Sequence, residues 1–99
     1  MARIPQRYRP QDQPEAPVCE PADAAAIQAL SRGNANSDQQ KRALGWIIER
    51  AAGTYATSYR AGGPEAERAT SFAEGKRFVG NLIVGVLKLK LGELRREKP

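Results

Sequence analysis

The stretch from Pro64 to Arg96 constrains this chain more than any other, because it holds most of the large apolar residues and carries helix signals at both ends. Pro64 suits the first position of a helix, where its missing N–H is not needed, and Glu65 and Glu67 lie near the positive end of the helix dipole. Arg95, Arg96 and Lys98 put cations at the opposite end. The pattern predicts one long helix from 64 to about 96, near 50 Å in length. Phe72, Val79, Leu82, Ile83, Val86, Leu87, Leu89, Leu91 and Leu94 supply most of the expected core. Inside the run, Gly75, Gly80 and Gly85 recur at intervals of five, and each interior glycine costs roughly 1 kcal/mol relative to alanine. The expected cause is close packing, with Gly75 and Gly80 letting this helix press on the preceding one near Gly45, and with a bend near the glycines.

What precedes that run divides into three stretches. Pro5, Pro10, Pro14, Pro17 and Pro21 are spaced too closely for a helix, so residues 1–21 read as an extended arm with Arg3, Arg7, Tyr8 and Arg9 at its tip. Residues 22–36 read as a short helix and linker. Only Ile27 and Leu30 are sizeable apolar groups there, so this helix can dock but cannot hold itself together. A second helix is expected over 38–52, with Ser37 as N-cap and Gln40 completing a capping box. Leu44, Ile47, Ile48, Ala51 and Tyr55 form its apolar stripe, with Gly53 as a C-terminal cap. Trp46 falls off the centre of that stripe and reads either as core against a third element or as an anchor for a partner. Residues 54–63, with Tyr55, Tyr59 and Gly62-Gly63, read as a loop folding back over the helix ends.

The fold class expected is therefore all-α: a small helical hairpin over 37–96, a short N-terminal helix and an extended Pro-rich arm. The second helix, about 22 Å long, cannot cover the third. Leu87, Leu89, Leu91 and Leu94 are left without cover, so either the helix breaks at Gly85 or Gly92, or this end packs on another chain.

The 99 residues carry a formal charge of +5, from 16 Lys and Arg against 11 Asp and Glu, which suits an acidic partner or nucleic acid. There is one cysteine and no histidine, so an intramolecular disulfide and a zinc site of four Cys and His ligands are excluded. Cys19 has no neighbouring base and reads as an incidental thiol. The N-terminus lacks the apolar region of a signal peptide, and the apolar run over 78–87 is too short to span a bilayer. Gly62-Gly63-Pro64 has no Lys-Ser/Thr after it and is a turn, not a phosphate loop. No catalytic, cofactor or metal residue is expected, and the chain reads as non-enzymatic. Glu74 is the lone acid of the apolar run, within reach of Arg77. The two form either an exposed ion pair or a clasp on the 54–60 loop or second helix that fixes the hairpin crossing.

The residues Leu44-Gly45-Trp46-Ile47-Ile48-Glu49-Arg50, Gly53-Thr54-Tyr55, Ser58-Tyr59 and Phe72-Ala73-Glu74-Gly75-Lys76-Arg77-Phe78-Val79-Gly80 resemble a family of small phage proteins encoded near the head and portal genes of podophages. That family's pattern is an apolar helix ending in a Gly-aromatic turn, a Ser-aromatic pair, then an aromatic-x-Glu-Gly-Arg-Arg-x-x-Gly helix. Lys76 stands where the first arginine is usual, and a lysine lacks the arginine's bidentate fork. The likeness covers Leu44 to Leu87 and implies a virion component near the portal or tail, with no activity attached. Its expected partners are portal, adaptor, tail or fibre subunits in a symmetric assembly, no membrane, with the arm ordered on a neighbouring subunit. The alternative expectation is a small basic DNA- or RNA-binding protein acting during infection.

Overall fold

The computed structural model describes residues 16–92, so the arm tip (Arg3, Arg7, Tyr8 and Arg9) and Leu94 lie outside the described residues. The protein is all-α, as expected: α1 spans Pro21–Arg32, α2 spans Ser37–Gly45, a π-helical segment continues α2 over Trp46–Ala51, and α3 spans Pro64–Lys88. It falls into two compact units divided after Ala51.

In the first unit, α1 begins at Pro21 behind an extended Glu20, whose side chain and that of Asp23 form a reciprocal capping box. It stops at Gly33, which adopts the left-handed φ of 78° that closes a helix readily only with glycine. The four-residue connection to α2 ends in Asn36. Its Oδ1 accepts from the Gln39 amide at 2.8 Å, and the Gln39 Oε1 accepts from the Asn36 amide at 3.0 Å. The cap is thus Asn36 with Gln39, one residue before the expected Ser37 and Gln40; both pairs satisfy the spacing, and the extended backbone at Asn36 decides between them.

α1 and α2 pack as an antiparallel pair. Asp23, near the start of α1, accepts from Arg42 Nε at 2.8 Å, near the end of α2. The buried side chains are Ala26 and Ala29 on α1, Ala43 on α2, Ile48 on the π segment, and Cys19. Alanines allow close approach of the two backbones, and of the two larger groups expected to dock, Ile27 is half-buried and Leu30 is exposed. Ala43 and Ile48 are five apart, the spacing that a π turn brings onto one face. The expected stripe is correspondingly rotated: Leu44 and Tyr55 are exposed, whereas Ile48 is buried. The short helix that was expected to need support from elsewhere finds it in α2.

In the second unit, Gly62 and Gly63 have φ of 119° and 96°, and Pro64 follows at the first helical position. α3 is shorter than predicted. It ends at Lys88 because Leu89 turns extended, with φ −67° and ψ 143°. The 25 residues measure about 37 Å. From Leu87 onward leucines alternate with lysines as Leu87-Lys88-Leu89-Lys90-Leu91, a period of two that no helical face can use.

Candidate interaction surface on the third helix

Between Ala52 and Arg60 the chain runs back along α3 in the opposite direction, held at successive turns. Arg77 Nε donates to the Thr54 carbonyl at 3.2 Å. One turn earlier, Ser58 Oγ donates to Glu74 Oε2. A turn before that, Thr70 Oγ1 accepts from the Arg60 amide at 2.7 Å. Thr70, Glu74 and Arg77 follow the i, i+4, i+7 rule for one helical face. Arg77 also bridges to Glu74 at 3.2 Å. Hydrogen bonding from Ser58 holds the Glu74 carboxyl below its ordinary pKa, desolvation works against it, and the Arg77 charge adds to the lowering. Glu74 and Arg77 are therefore a clasp on the loop. Thr70 was not singled out from the sequence, although its polar spacing from Glu74 and Arg77 was the signal.

Beside the clasp lies the contact that explains one of the glycines. A Cβ added to Gly80 would come within 2.9 Å of Thr54 Cβ and 3.0 Å of Ala52 Cβ, and would collide with Thr54 Oγ1. Thr54 is only 2% exposed, and Ala52, Ala73 and Gly80 are buried with it. Gly80 thus presses on the Ala52–Thr54 turn. Gly80 is thus accounted for within its own unit, whereas a Cβ at Gly75 or at Gly85 would meet open space.

The opposite face of α3 differs in every respect. Phe72 is 53% exposed, Phe78 64%, Val79 51%, Leu82 55% and Val86 64%. These side chains cluster roughly 150° around the helix from Ala73 and Gly80, given 3.6 residues per turn. All but Phe78 were expected to form the core, and the structure places them outside it, as it does Leu87, Leu89 and Leu91; Ile83 is half-buried. The reason is the size of the loop's footprint. The Ala52–Arg60 segment covers one narrow face with small and polar groups, and no other described residue of its unit reaches the other side. From Ser71 to Val86 the uncovered face has no charged residue in its centre; Lys76 stands at its edge, with Nζ 5.2 Å from the Phe72 ring centroid.

Of the remaining expected residues, Tyr55 and Tyr59 are exposed rather than packed over helix ends. Trp46 is half-buried, and its Nε1 donates to the Val18 carbonyl at 3.3 Å, so it fastens the segment entering α1. An open cleft of about 300 Å³ beside it is lined by Glu20, Asp23, Arg42, Glu49 and Arg50 among others, a mixture of signs with no convergent chemistry. Cys19 is buried, and its thiol pKa is raised by that burial and then by the carboxylates of Asp23 and Glu20. Among the described residues, no group of three His, Cys, Asp or Glu side chains could hold a metal ion, and no helix is long and apolar enough to cross a membrane.

No protein-family model, curated protein or solved structure matches the chain.

Proposed function

We propose that this chain is a non-enzymatic assembly protein that works by docking the outward face of α3. One observation carries the reading: an uncharged apolar strip, centred on Phe72, Val79, Leu82 and Val86, stays half or more exposed over four turns of a helix whose other face is already occupied. Contiguous exposed apolar surface of this kind marks sites of protein association. The loop clasp gives the face a rigid support, which lowers the entropy lost on docking.

The resemblance of Leu44–Leu87 to the podophage proteins supports reading that assembly as a phage virion, with the chain a structural component made in the host cytoplasm and present in several copies beside portal, connector, tail or fibre subunits. The Pro-rich arm, ordered on a neighbouring subunit, adds a second contact. The test is mass spectrometry of purified particles washed in high salt, from the phage that encodes the chain. The chain is expected among the particle proteins at a fixed stoichiometry. Its absence would overturn the virion assignment.

A further inference from the structure

We propose that the outward face of α3 pairs with the same face of a second copy of this chain, as a parallel two-stranded seam. The inference rests on the reading of that face as an interface and names its occupant.

The spacing of the exposed residues carries it. Phe72, Val79 and Val86 are seven apart, and Gly75 and Leu82 fall three residues after Phe72 and Val79. This is the a and d spacing of a heptad, with β-branched valine at a and leucine at d, the combination that favours two parallel strands. All four large members of the seam are exposed, and so is Gly75. In such a pair Phe72 meets Phe72 of the second copy, and the layer beneath is Gly75 against Gly75. A large layer beside an empty one gives each ring space to settle, the alternation that fills a core without strain.

The flanks favour a second copy as well. In a parallel pair, position g of one helix faces position e of the next heptad on the other. Phe78 then meets Ile83 of the second copy, an apolar pair that widens the seam. Ser71 meets Lys76 of the second copy, so between Phe72 and Val86 no two like charges are brought together; the exposed Glu65 and Arg68, one heptad earlier, face their own copies beyond the end of the seam. Between Phe72 and Val86 an acidic partner would find only Lys76 to pair with, at the edge of this face, whereas a second copy needs no charge there. The area is sufficient. Phe72, Phe78, Val79, Leu82 and Val86 at these exposures present about 500 Å² of surface per copy, so a symmetric pair can bury up to about 1,000 Å², the lower bound for a specific interface.

The test is sedimentation equilibrium of the full chain. The expected species has twice the 10.8 kDa chain mass at micromolar concentration. Leu82→Glu places two carboxylates in the seam and is expected to raise the dissociation constant by about 100-fold or more. Orientation is read independently of that variant's folding, by cysteines placed singly at Phe72 or Val86 in a Cys19→Ser background under mild oxidation. Cross-linked dimers are expected from each single variant. A monomer, a higher oligomer, or cross-linking only when the Phe72→Cys and Val86→Cys chains are mixed would overturn the proposal. A monomeric isolated chain found in washed particles would sink the second copy as occupant and leave the assembly reading standing.

Discussion

The two units solve the same problem, too few large buried side chains, in different ways. In the first, α1 and α2 bury alanines against each other and Trp46 fastens the entering segment from the side. Within the second, α3 packs on the Ala52–Arg60 loop, with polar clasps at Thr70, Glu74 and Arg77. The difference shows in what each leaves over. The first unit exposes a few scattered apolar groups such as Leu30 and Leu44; the second exposes a connected strip. Close packing of small residues completes a pair of helices, whereas it leaves the far side of a lone helix uncovered, and that side is where a function is to be sought.

The comparison breaks most sharply at the glycines. Gly80→Ala forces a methyl into Thr54 and Ala52, and overpacking of this kind costs about 1–3 kcal/mol. Gly85→Ala meets open space, so the gain in helix propensity, up to about 1 kcal/mol, is expected to be kept. Thermal unfolding of the two variants should move in opposite directions. Equal shifts would mean that the loop does not sit on α3 as described.

Trp46→Ala is the corresponding probe of the first unit. It removes a half-buried ring and the hydrogen bond to Val18, with an expected loss of about 2 kcal/mol. It also bears on Cys19, whose thiol is shielded by burial and by a raised pKa. Alkylation of Cys19 at neutral pH is expected to be slow in the native chain and markedly faster in the Trp46 variant. An unchanged rate would show that Trp46 does not hold residues 16–20 in place.

Much of this was legible in the sequence, and the failures have physical reasons. Pro64 with Glu65 and Glu67 located the start of α3 because capping chemistry is local. The pairing of Glu74 and Arg77 with the loop was one of two readings, because an i,i+3 ion pair looks the same with or without a third group. The π segment was not legible: Leu44, Ile47, Ile48 and Ala51 fit an α stripe, and only the burial of Ala43 with Ile48 reveals the extra residue in the turn. Nor was the end of α3. The alternation from Leu87 to Leu91 was the available signal, and the terminal arginines overrode it. The core assignment failed for a deeper reason, since an apolar stripe says that a face wants cover and not whether the chain itself provides it.

The clasps set smaller effects. Arg77→Ala loses the bond to the Thr54 carbonyl and is expected to cost about 1–2 kcal/mol. Glu74→Ala is expected to lower the melting temperature by less, because its carboxylate is more than half exposed. The Glu74 carboxyl is lowered chiefly by Ser58, so its folded pKa lies beneath its unfolded one. Its contribution is therefore full at neutral pH and fades as the pH falls through the folded value, below the ordinary carboxylate range. Ser58→Ala should move that titration upward in an NMR titration of the side chain. No movement would remove the Ser58 clasp.

The central claim, that the outward face of α3 is a surface for self-association while the first unit is complete in itself, is tested most directly by hydrogen–deuterium exchange of the full chain across a range of protein concentrations. Protection over Phe72–Val86 is predicted to rise with concentration while that of Pro21–Ala51 stays constant. Exchange in both regions that is independent of concentration would contradict it.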